Sequence, residues 1–464
     1  MATLDTLPVE LVTIVVSHLS PQDVKSLSCA NWFMRHAVLG NLFRTLVIPC
    51  PLASTQSLEE VIHKYQNFIS RVHLYVSFQP NMEGKPHDGP MPSVWGAAPT
   101  DTIPDITRGD LLSSVRSFVL EFNWEQFEHG GWWGETASRY DPTLPGNIVE
   151  DEENWDGPTL PGYIIENEEN WEQTLQQERD IIWRAQYNEV MRTVSMNQSI
   201  TDLKMKNLIA KNTSTWETPE WASFLGRLQV LELGVFGADD DCFHTSIGFI
   251  EFIGSLPHFV MRHARNVRHL TLEASPNGLL GGASANYRIP LPLKEDHFLF
   301  LQSLTLKNIM IGPDLVEFLT SRVDCFEELE LHDCMCDGPE PEYGPDWDLE
   351  SVTWADLWKA IRESNMRLFK VSVVQSKRPP LLWREGESEE DEASDDSKAV
   401  AARIRKMLEE DGCLVLWRYA RIEYEYGWIV ELSDDNVKYF EEGEDQREYV
   451  KLLEVLEERN KRQG

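Results

Sequence analysis

The chain has 464 residues, of which 42% are apolar, and it contains sixteen tryptophans. This composition predicts two or three folded domains and excludes wholesale disorder. A formal net charge of −35 argues against binding to DNA or RNA phosphates and against docking on anionic membranes, because like charges repel and the sequence has no basic stripe. A neutral or basic protein partner is compatible with this charge, which also favours solubility.

Two further features of the sequence predict where in the cell the protein is located. No N-terminal segment has a basic start followed by an apolar core, and no apolar run approaches 18 residues, so we expect neither a signal peptide nor a membrane span. Seven cysteines are scattered along the chain. We therefore expect reduced thiols and a cytoplasmic or nuclear location.

The first 48 residues predict three short helices. Apolar side chains at 7, 11, 14, 15 and 19 have the spacing of a one-faced helix. Ser20 is a favourable N-cap and Pro21 suits the first position of a second helix, while a third helix includes Phe33. A unit of this size lies near the lower limit for independent stability. Apolar surface that it leaves exposed therefore indicates a partner.

This stretch resembles an F-box. The residues that carry the resemblance are Leu7, Pro8, Glu10, Leu11, Ile14, Leu19, Asp23, Leu27 and Trp32 or Phe33, followed by Leu42-Phe43-Arg44. The family often has a basic residue before the aromatic, whereas Ala30 and Asn31 stand here. The alternative is an amphipathic helical hairpin packed on its own domain.

The resemblance implies that a Skp-type adaptor, and through it a cullin scaffold, binds these helices. By carry-over, the residues at the adaptor contact or in the core of the helices are Leu7, Pro8, Leu11, Ile14, Leu19, Val24 and Leu27. Apolar anchors that dock in a partner's groove would explain their character.

Beyond a break at Pro49-Cys50-Pro51, the sequence predicts a helix over 57–68 and strands over 69–76 and 115–120, with a loop over 79–105. Residues 141–172 contain two copies of one sixteen-residue acidic motif, each ending in a tryptophan and an acidic residue. We interpret the duplication as an acidic surface insertion. A bivalent docking motif for a basic partner is the alternative.

After a helical stretch over 173–198, one spacing of apolar residues recurs: an apolar residue, a second three positions later and a third two positions after that. It resembles the strand segment of a leucine-rich repeat. The units begin at Ile69, Val115, Ile200, Leu228, Val267, Leu301, Phe326 and Leu368.

In such a unit the second and third apolar residues point inward along a short parallel strand, and the residues between them lie on a concave face. Helices over 249–264, 313–323 and 354–363 would cover the other side. Each unit buries its apolar edge only against its neighbours, so several must stack. The spacing between units is irregular, and an ordinary α/β sheet is the competing interpretation.

The segments after residue 375 begin with an acidic stretch and continue with predicted helices and strands. Residues 376–400 predict a disordered linker in which Ser388 suits an acid-directed kinase. A helix over 399–411, strands over 413–417, 421–426 and 428–432, and a helix over 449–458 would cap the repeat stack. The expected domains are therefore an F-box-like unit (1–48), a repeat-like α/β unit (49–375), the linker (376–400) and a capping segment (401–464).

We find no residues that predict catalysis or cofactor binding. His332, Cys334 and Cys336 resemble metal ligands only weakly, since no second ligand pair has suitable spacing. In the repeat frame Cys334 stands where the family has Asn or Cys. Trp132, Trp133, Trp354 and Trp358 are expected in cores.

The expected fold class is thus α/β, with a three-helix F-box before an irregular leucine-rich-repeat-like solenoid. The resemblance, which is to F-box proteins of fungal type, implies a non-enzymatic substrate-recognition subunit of a Skp–cullin–F-box ubiquitin ligase. An F-box scaffold that delivers no substrate is one alternative. An enzyme built on the α/β region is the other.

Overall fold

The computed structural model describes residues 9–79, 89–96, 100–127, 171–237, 249–275, 280–282, 291–321, 325–337, 351–364, 366–376, 381, 395–422 and 429–463. These residues form a mixed α/β fold with a large parallel sheet. The duplicated acidic motif lies outside the described residues apart from its last two positions. The acidic run at 387–394, Trp132 and Trp133 also lie outside.

The elements in chain order are α1 Val9–Ser17, α2 Pro21–Ser28, α3 Trp32–Leu42, β1 Thr45–Cys50, α4 Gln56–Tyr65, β2 Arg71–Val76, α5 Thr102–Arg108, β3 Ser117–Phe122, α6 Trp171–Asp180, α7 Ile182–Ser195, β4 Asp202–Ile209, α8 Pro219–Leu225, β5 Val230–Phe236, α9 Phe249–Leu256, β6 His269–Ala274, β7 Ser303–Lys307, β8 Met310–Ile311, α10 Pro313–Thr320, β9 Glu328–His332, β10 Met335–Asp337, α11 Trp354–Glu363, β11 Lys370–Val374, α12 Asp395–Glu410, β12 Tyr419–Ile422, β13 Ile429–Glu431, α13 Ser433–Glu442 and α14 Glu444–Gln463.

The large sheet has nine strands among the described residues, in the order β1-β2-β3-β4-β5-β6-β7-β9-β11. Every neighbouring pair is parallel, and Leu270 of β6 lies beside Leu231 of β5 and Leu304 of β7. The register shifts once, between Met205 and Leu208 of β4. Each strand therefore pairs with the next strand of this sheet along the chain.

The apolar spacing in the sequence determines this arrangement. In β7 the buried residues are Leu304 and Leu306, while the residues on either side of them are only partly buried. Successive side chains of a strand point to opposite faces, so one face of the sheet is apolar and the other polar. All eight strands predicted from this spacing are confirmed.

β1 was not predicted as a strand. The expected break at 49–51 is wrong for Pro49 and Cys50, because β1 continues to Cys50 beside β2. Pro49 is exposed on an edge strand, where the missing N–H group of proline is tolerated. The expected domain boundary after residue 48 falls inside this strand.

The predicted helices are present as α4, α9, α10 and α11, and the helical stretch after residue 172 is divided into α6 and α7. α5 and α8 were missed, and the loop expected over 79–105 is wrong where α5 begins. α8 carries a recognisable start signal, because the Thr218 hydroxyl accepts a hydrogen bond from the Trp221 N–H at 3.3 Å and Pro219 occupies the first position.

In the C-terminal tail, β12 and β13 join β8 and β10 in a second sheet with the order β13-β12-β10-β8. The strand expected over 413–417 is wrong: these residues are irregular, and Trp417 is buried against Trp354 of α11. α12 already begins at Asp395, inside the segment expected to be a linker. α13 was missed, and α14 is longer than predicted.

The N-terminal helices have an apolar core of their own. The large sheet, its helices and part of the tail share one core, whereas α1–α3 enclose a separate one that contains Val12, Val16, Val24, Met34 and Val38. Trp354 and Trp358 lie in the large core, which confirms the expectation for these two residues. No helix in the described part of the chain has both the length and the apolar character needed to cross a membrane.

Candidate interaction surfaces

The N-terminal helices expose large apolar side chains although they have their own core. Leu11 is 47% exposed, Ile14 57% and Val15 45%. Their spacing within α1 places all three on one face. We call Leu11, Ile14 and Val15 the N-terminal apolar surface. Exposed apolar residues that are contiguous in this way are typical of a protein–protein contact.

Local sequence positions these helices. Ser20 caps α2, since its hydroxyl oxygen accepts a hydrogen bond from the Asp23 N–H at 3.2 Å, as the sequence predicted. Asn31 caps α3 in the same way, through the Met34 N–H at 2.8 Å. Trp32 follows this cap, is 78% exposed and stacks on His36 with ring centroids 5.5 Å apart.

The structure distributes the residues expected at an adaptor contact between surface and core. Leu11 and Ile14 are exposed, Val24 is buried in the helical core, and Leu19 and Leu27 pack partly buried against that core. Leu7 and Pro8 lie outside the described residues. Sequence spacing had not separated contact residues from core residues. It had given Val15 as apolar without assigning it to a surface.

A second candidate surface is the polar face of the large sheet, formed by alternate residues of its nine strands. Its formal charge is nearly balanced, although the whole chain carries −35. The cationic members are Arg71, Lys204, Lys206, Lys307 and Lys370; the acidic members are Glu121, Asp202, Glu232, Glu273, Glu328 and Glu330; the histidines are His73, His269 and His332.

Ion pairs between neighbouring strands account for this balance. Glu121 contacts His73 at 2.9 Å on one side and Lys206 at 3.4 Å on the other. Lys307 contacts Glu273 at 3.1 Å, and Lys204 forms a close pair with Glu232. These side chains are partly solvent-exposed, so each pair contributes little to stability. A near-neutral face with fixed donors and acceptors can hold a protein segment.

The residues considered for a metal site are arranged differently. The Cys334 thiol is buried and donates weakly to the Leu306 carbonyl oxygen at 3.4 Å, and burial raises its pKa to about 12. His332 forms a close contact with Glu330 on the polar face. Over the described ranges, no three or more His, Cys, Asp or Glu residues are grouped as metal ligands.

Among the described residues, a groove with a volume of about 350 Å³ lies between α12, α13 and α14. Its lining is mostly apolar and includes Trp417, Tyr439 and Phe440, with Arg447 and Lys451 also present. No Asp or Glu is among the residues that line it. We take the N-terminal apolar surface and the polar face of the large sheet as the candidate functional surfaces.

No protein-family model matches the sequence, and no curated protein is similar to it.

Proposed function

We propose that this chain is the substrate-recognition subunit of a Skp–cullin–F-box ubiquitin ligase complex. In this proposal α1–α3 bind the Skp-type adaptor and the polar face of the large sheet holds a protein substrate. The observation that carries the proposal is the exposure of Leu11 and Ile14 on helices that already have their own core. Such helices have apolar surface to offer a partner without unfolding.

We further propose that the sheet and its helices form an irregular leucine-rich-repeat-like solenoid. The strictly sequential order of nine parallel strands supports this. So does the hydrogen bond from Cys334, at the repeat position of Asn or Cys, to the Leu306 carbonyl oxygen of the preceding strand. Stacked units bury a continuous core and leave one extended face for a ligand.

The mechanism follows from position alone. The adaptor and cullin would bring a ubiquitin-charged enzyme near the sheet, and the sheet would keep a substrate lysine close to the activated carbonyl. Restricting two reactants in this way raises their effective concentration. The chain itself would form and break no covalent bond.

Affinity capture of the full-length protein tests the adaptor contact. The Leu11→Asp, Ile14→Asp double variant should lose the Skp-type adaptor and cullin and keep its other partners, because two charges cannot enter an apolar groove. The matched control is Leu111→Asp, Met196→Asp, since these residues are similarly exposed, at 43% and 44%, but lie outside α1–α3. Adaptor and cullin retained by the α1 variant would refute the proposal.

A second measurement distinguishes substrate delivery from a scaffold role. Proteins that bind the wild type and the α1 variant equally are candidate substrates. Their cellular half-life should lengthen when only the α1 variant is expressed. Unchanged half-lives, with adaptor binding lost, would favour an F-box scaffold that delivers no substrate.

A further inference from the structure

The turns that precede β5 and β6 carry arginines at the end of the large sheet where its strands begin. Residues 258–269 contain three arginines and three histidines and no carboxylate, in a chain with 77 acidic residues. We call Arg262, Arg265 and Arg268, together with His258 and His263, the cationic edge. All but the partly buried His263 are exposed.

The side chains of the cationic edge support one another without a carboxylate. The Arg262 guanidinium donates from Nε to His263 Nε2 at 3.0 Å, and its Nη1 lies 2.8 Å from His258 Nδ1. Arg265 uses its Nε for the Arg262 carbonyl oxygen at 3.2 Å. Within the described ranges, no Asp or Glu forms an ion pair with Arg262, Arg265 or Arg268.

The local field is positive. Burial lowers the pKa of His263, and the charges of Arg262 and Arg265 and the neighbouring His258 lower it further. Asn266 Nδ2 donates to the Gly226 carbonyl oxygen at 2.6 Å, whereas the guanidinium of the next residue, Arg227, donates to the Asn197 and Ser223 carbonyl oxygens. An anion at this edge would therefore meet several unneutralised guanidinium groups.

Exposed apolar side chains lie on the next turn. Leu299 is 59% exposed and Phe300 is 56% exposed. The Gln302 N–H, two residues further on, donates to the Arg268 carbonyl oxygen at 2.8 Å. The apolar pair therefore stands on the turn adjacent to the cationic edge, and His269 continues the edge onto the polar face of the sheet.

We propose that the cationic edge and the Leu299–Phe300 pair bind a short anionic protein segment that also carries a large apolar side chain. Guanidinium groups bind carboxylates and phosphate groups through the same charge-assisted hydrogen bonds. The apolar pair gains from covering a side chain of the ligand. This inference rests on the proposed function, because the segment bound here would belong to the substrate. The binding itself is measured without adaptor or cullin.

The remainder of the chain favours a short ligand over a long polyanion. Outside the cationic edge the chain is strongly acidic, and repulsion between charges extends over a Debye length of about 10 Å at 0.1 M salt. DNA, RNA or an anionic membrane would bring further negative charge against these surfaces. A segment of a few residues can contact the edge and the apolar pair without bringing a long run of negative charge against these surfaces.

Fluorescence anisotropy with the full-length protein tests the proposal. One labelled peptide has four glutamates and one phenylalanine, a second has phosphoserine in place of two glutamates, and a third has glutamine in place of every glutamate. Binding of the first or second, and not of the third, is expected. Comparing the first two identifies the anion preferred.

The variant Arg262→Gln, Arg265→Gln, Arg268→Gln should bind the preferred anionic peptide at least about tenfold more weakly, because it loses the charge-assisted hydrogen bonds of three guanidinium groups. The control Lys359→Gln, Lys406→Gln, Lys461→Gln removes the same charge from exposed positions on α11, α12 and α14 and should change affinity less than about twofold. A second variant, Leu299→Ser, Phe300→Ser, should weaken binding of the same peptide but not of one without phenylalanine.

Several outcomes would overturn the proposal. Equal losses of peptide affinity in the arginine and lysine variants would show that the affinity depends only on the net charge of the protein. Tighter binding of single-stranded DNA or of anionic phosphatidylserine vesicles than of either peptide would change the ligand class. If the protein self-associates and the arginine substitutions abolish this association, the ligand of the cationic edge is a second copy of this chain. None of these outcomes affects adaptor capture, so the proposed function is judged separately.

Discussion

The hydroxyl group of Tyr419 donates a hydrogen bond to Asp445 Oδ2 at 2.9 Å, although this carboxyl group is 1% exposed. The other oxygen, Oδ1, accepts the backbone N–H of Ala355, in the first turn of α11, at 2.9 Å. One side chain of α14 thus joins β12 to α11. Burial raises the pKa of Asp445 to about 6.

We expect this carboxyl group to make stability depend on pH. Its pKa is higher in the folded than in the unfolded protein, so its contribution is fully present below about pH 4 and is lost as the pH rises through about 6. Asp445→Asn removes this titration and keeps an acceptor for Ala355. The variant should raise the free energy of unfolding at pH 7.5 by about 1–3 kcal/mol.

Urea unfolding at pH 5 and pH 7.5 measures this effect. The gain from Asp445→Asn should be larger at the higher pH. Asp434→Asn, at an exposed position of α13, serves as the control and should change stability by less than about 0.5 kcal/mol at both values. A loss of stability at pH 7.5 in Asp445→Asn would contradict the expectation.

Trp417 should anchor the C-terminal tail. Its ring lies 4.8 Å from that of Trp354, 5.4 Å from that of Trp358 and 5.1 Å from that of Tyr449. Trp417→Ala removes these contacts and should lower the free energy of unfolding by about 3–5 kcal/mol. Chemical denaturation followed by circular dichroism measures the change.

Trp32→Ala is the matched comparison, since the same side chain is 78% exposed on α3. It should alter stability by less than about 0.5 kcal/mol. If the two substitutions destabilised the protein equally, the aromatic packing of the tail would not anchor it.

Asn308 should be required for its side chain and for its backbone geometry. It has a φ of 54° and its Nδ2 donates to the Ala274 carbonyl oxygen at 3.0 Å. Asn308→Ala loses the hydrogen bond and keeps a β-carbon in a left-handed conformation, so it should cost about 1–3 kcal/mol. Asn308→Gly should cost less, because glycine adopts positive φ without strain. Thermal and urea unfolding of both variants provide the comparison, and a greater loss with glycine would contradict it.

The cysteines should differ strongly in reactivity. Burial raises the pKa of Cys50 and of Cys334 to about 12, so at pH 8 these thiols stay protonated and react slowly. Cys29 and Cys413 are exposed. Iodoacetamide labelling read by peptide mass spectrometry should modify the exposed pair first and the buried pair after urea is added. Rapid labelling of Cys334 in the folded protein would contradict its burial.

Local spacing was sufficient to predict most of the large sheet. Leu270 and Leu272 alternate with polar residues, as do Leu304 and Leu306, and alternate burial is a property of the strand itself. The same spacing failed for β1. Its apolar residues directly follow the helices, and two prolines in the interval 49–51 indicated a break.

The tail could not be predicted from spacing because distant residues determine it. Leu416 and Trp417 have strand-like composition but are buried in irregular backbone, where Trp417 packs on α11. The pairing of β12 with β10 joins residues about 80 positions apart. No periodicity within 413–417 contains that information.

The candidate surfaces show the same division. The sequence by itself determined that residues 9–42 are helical with too many apolar positions for one small core, and that strands recur with polar residues between the apolar ones. Only the tertiary structure decided that Ile14 is exposed while Val24 is buried, and that Arg268 stands on the turn beside Phe300. Periodicity records which residues share a face of one element, whereas exposure and proximity depend on which elements pack together.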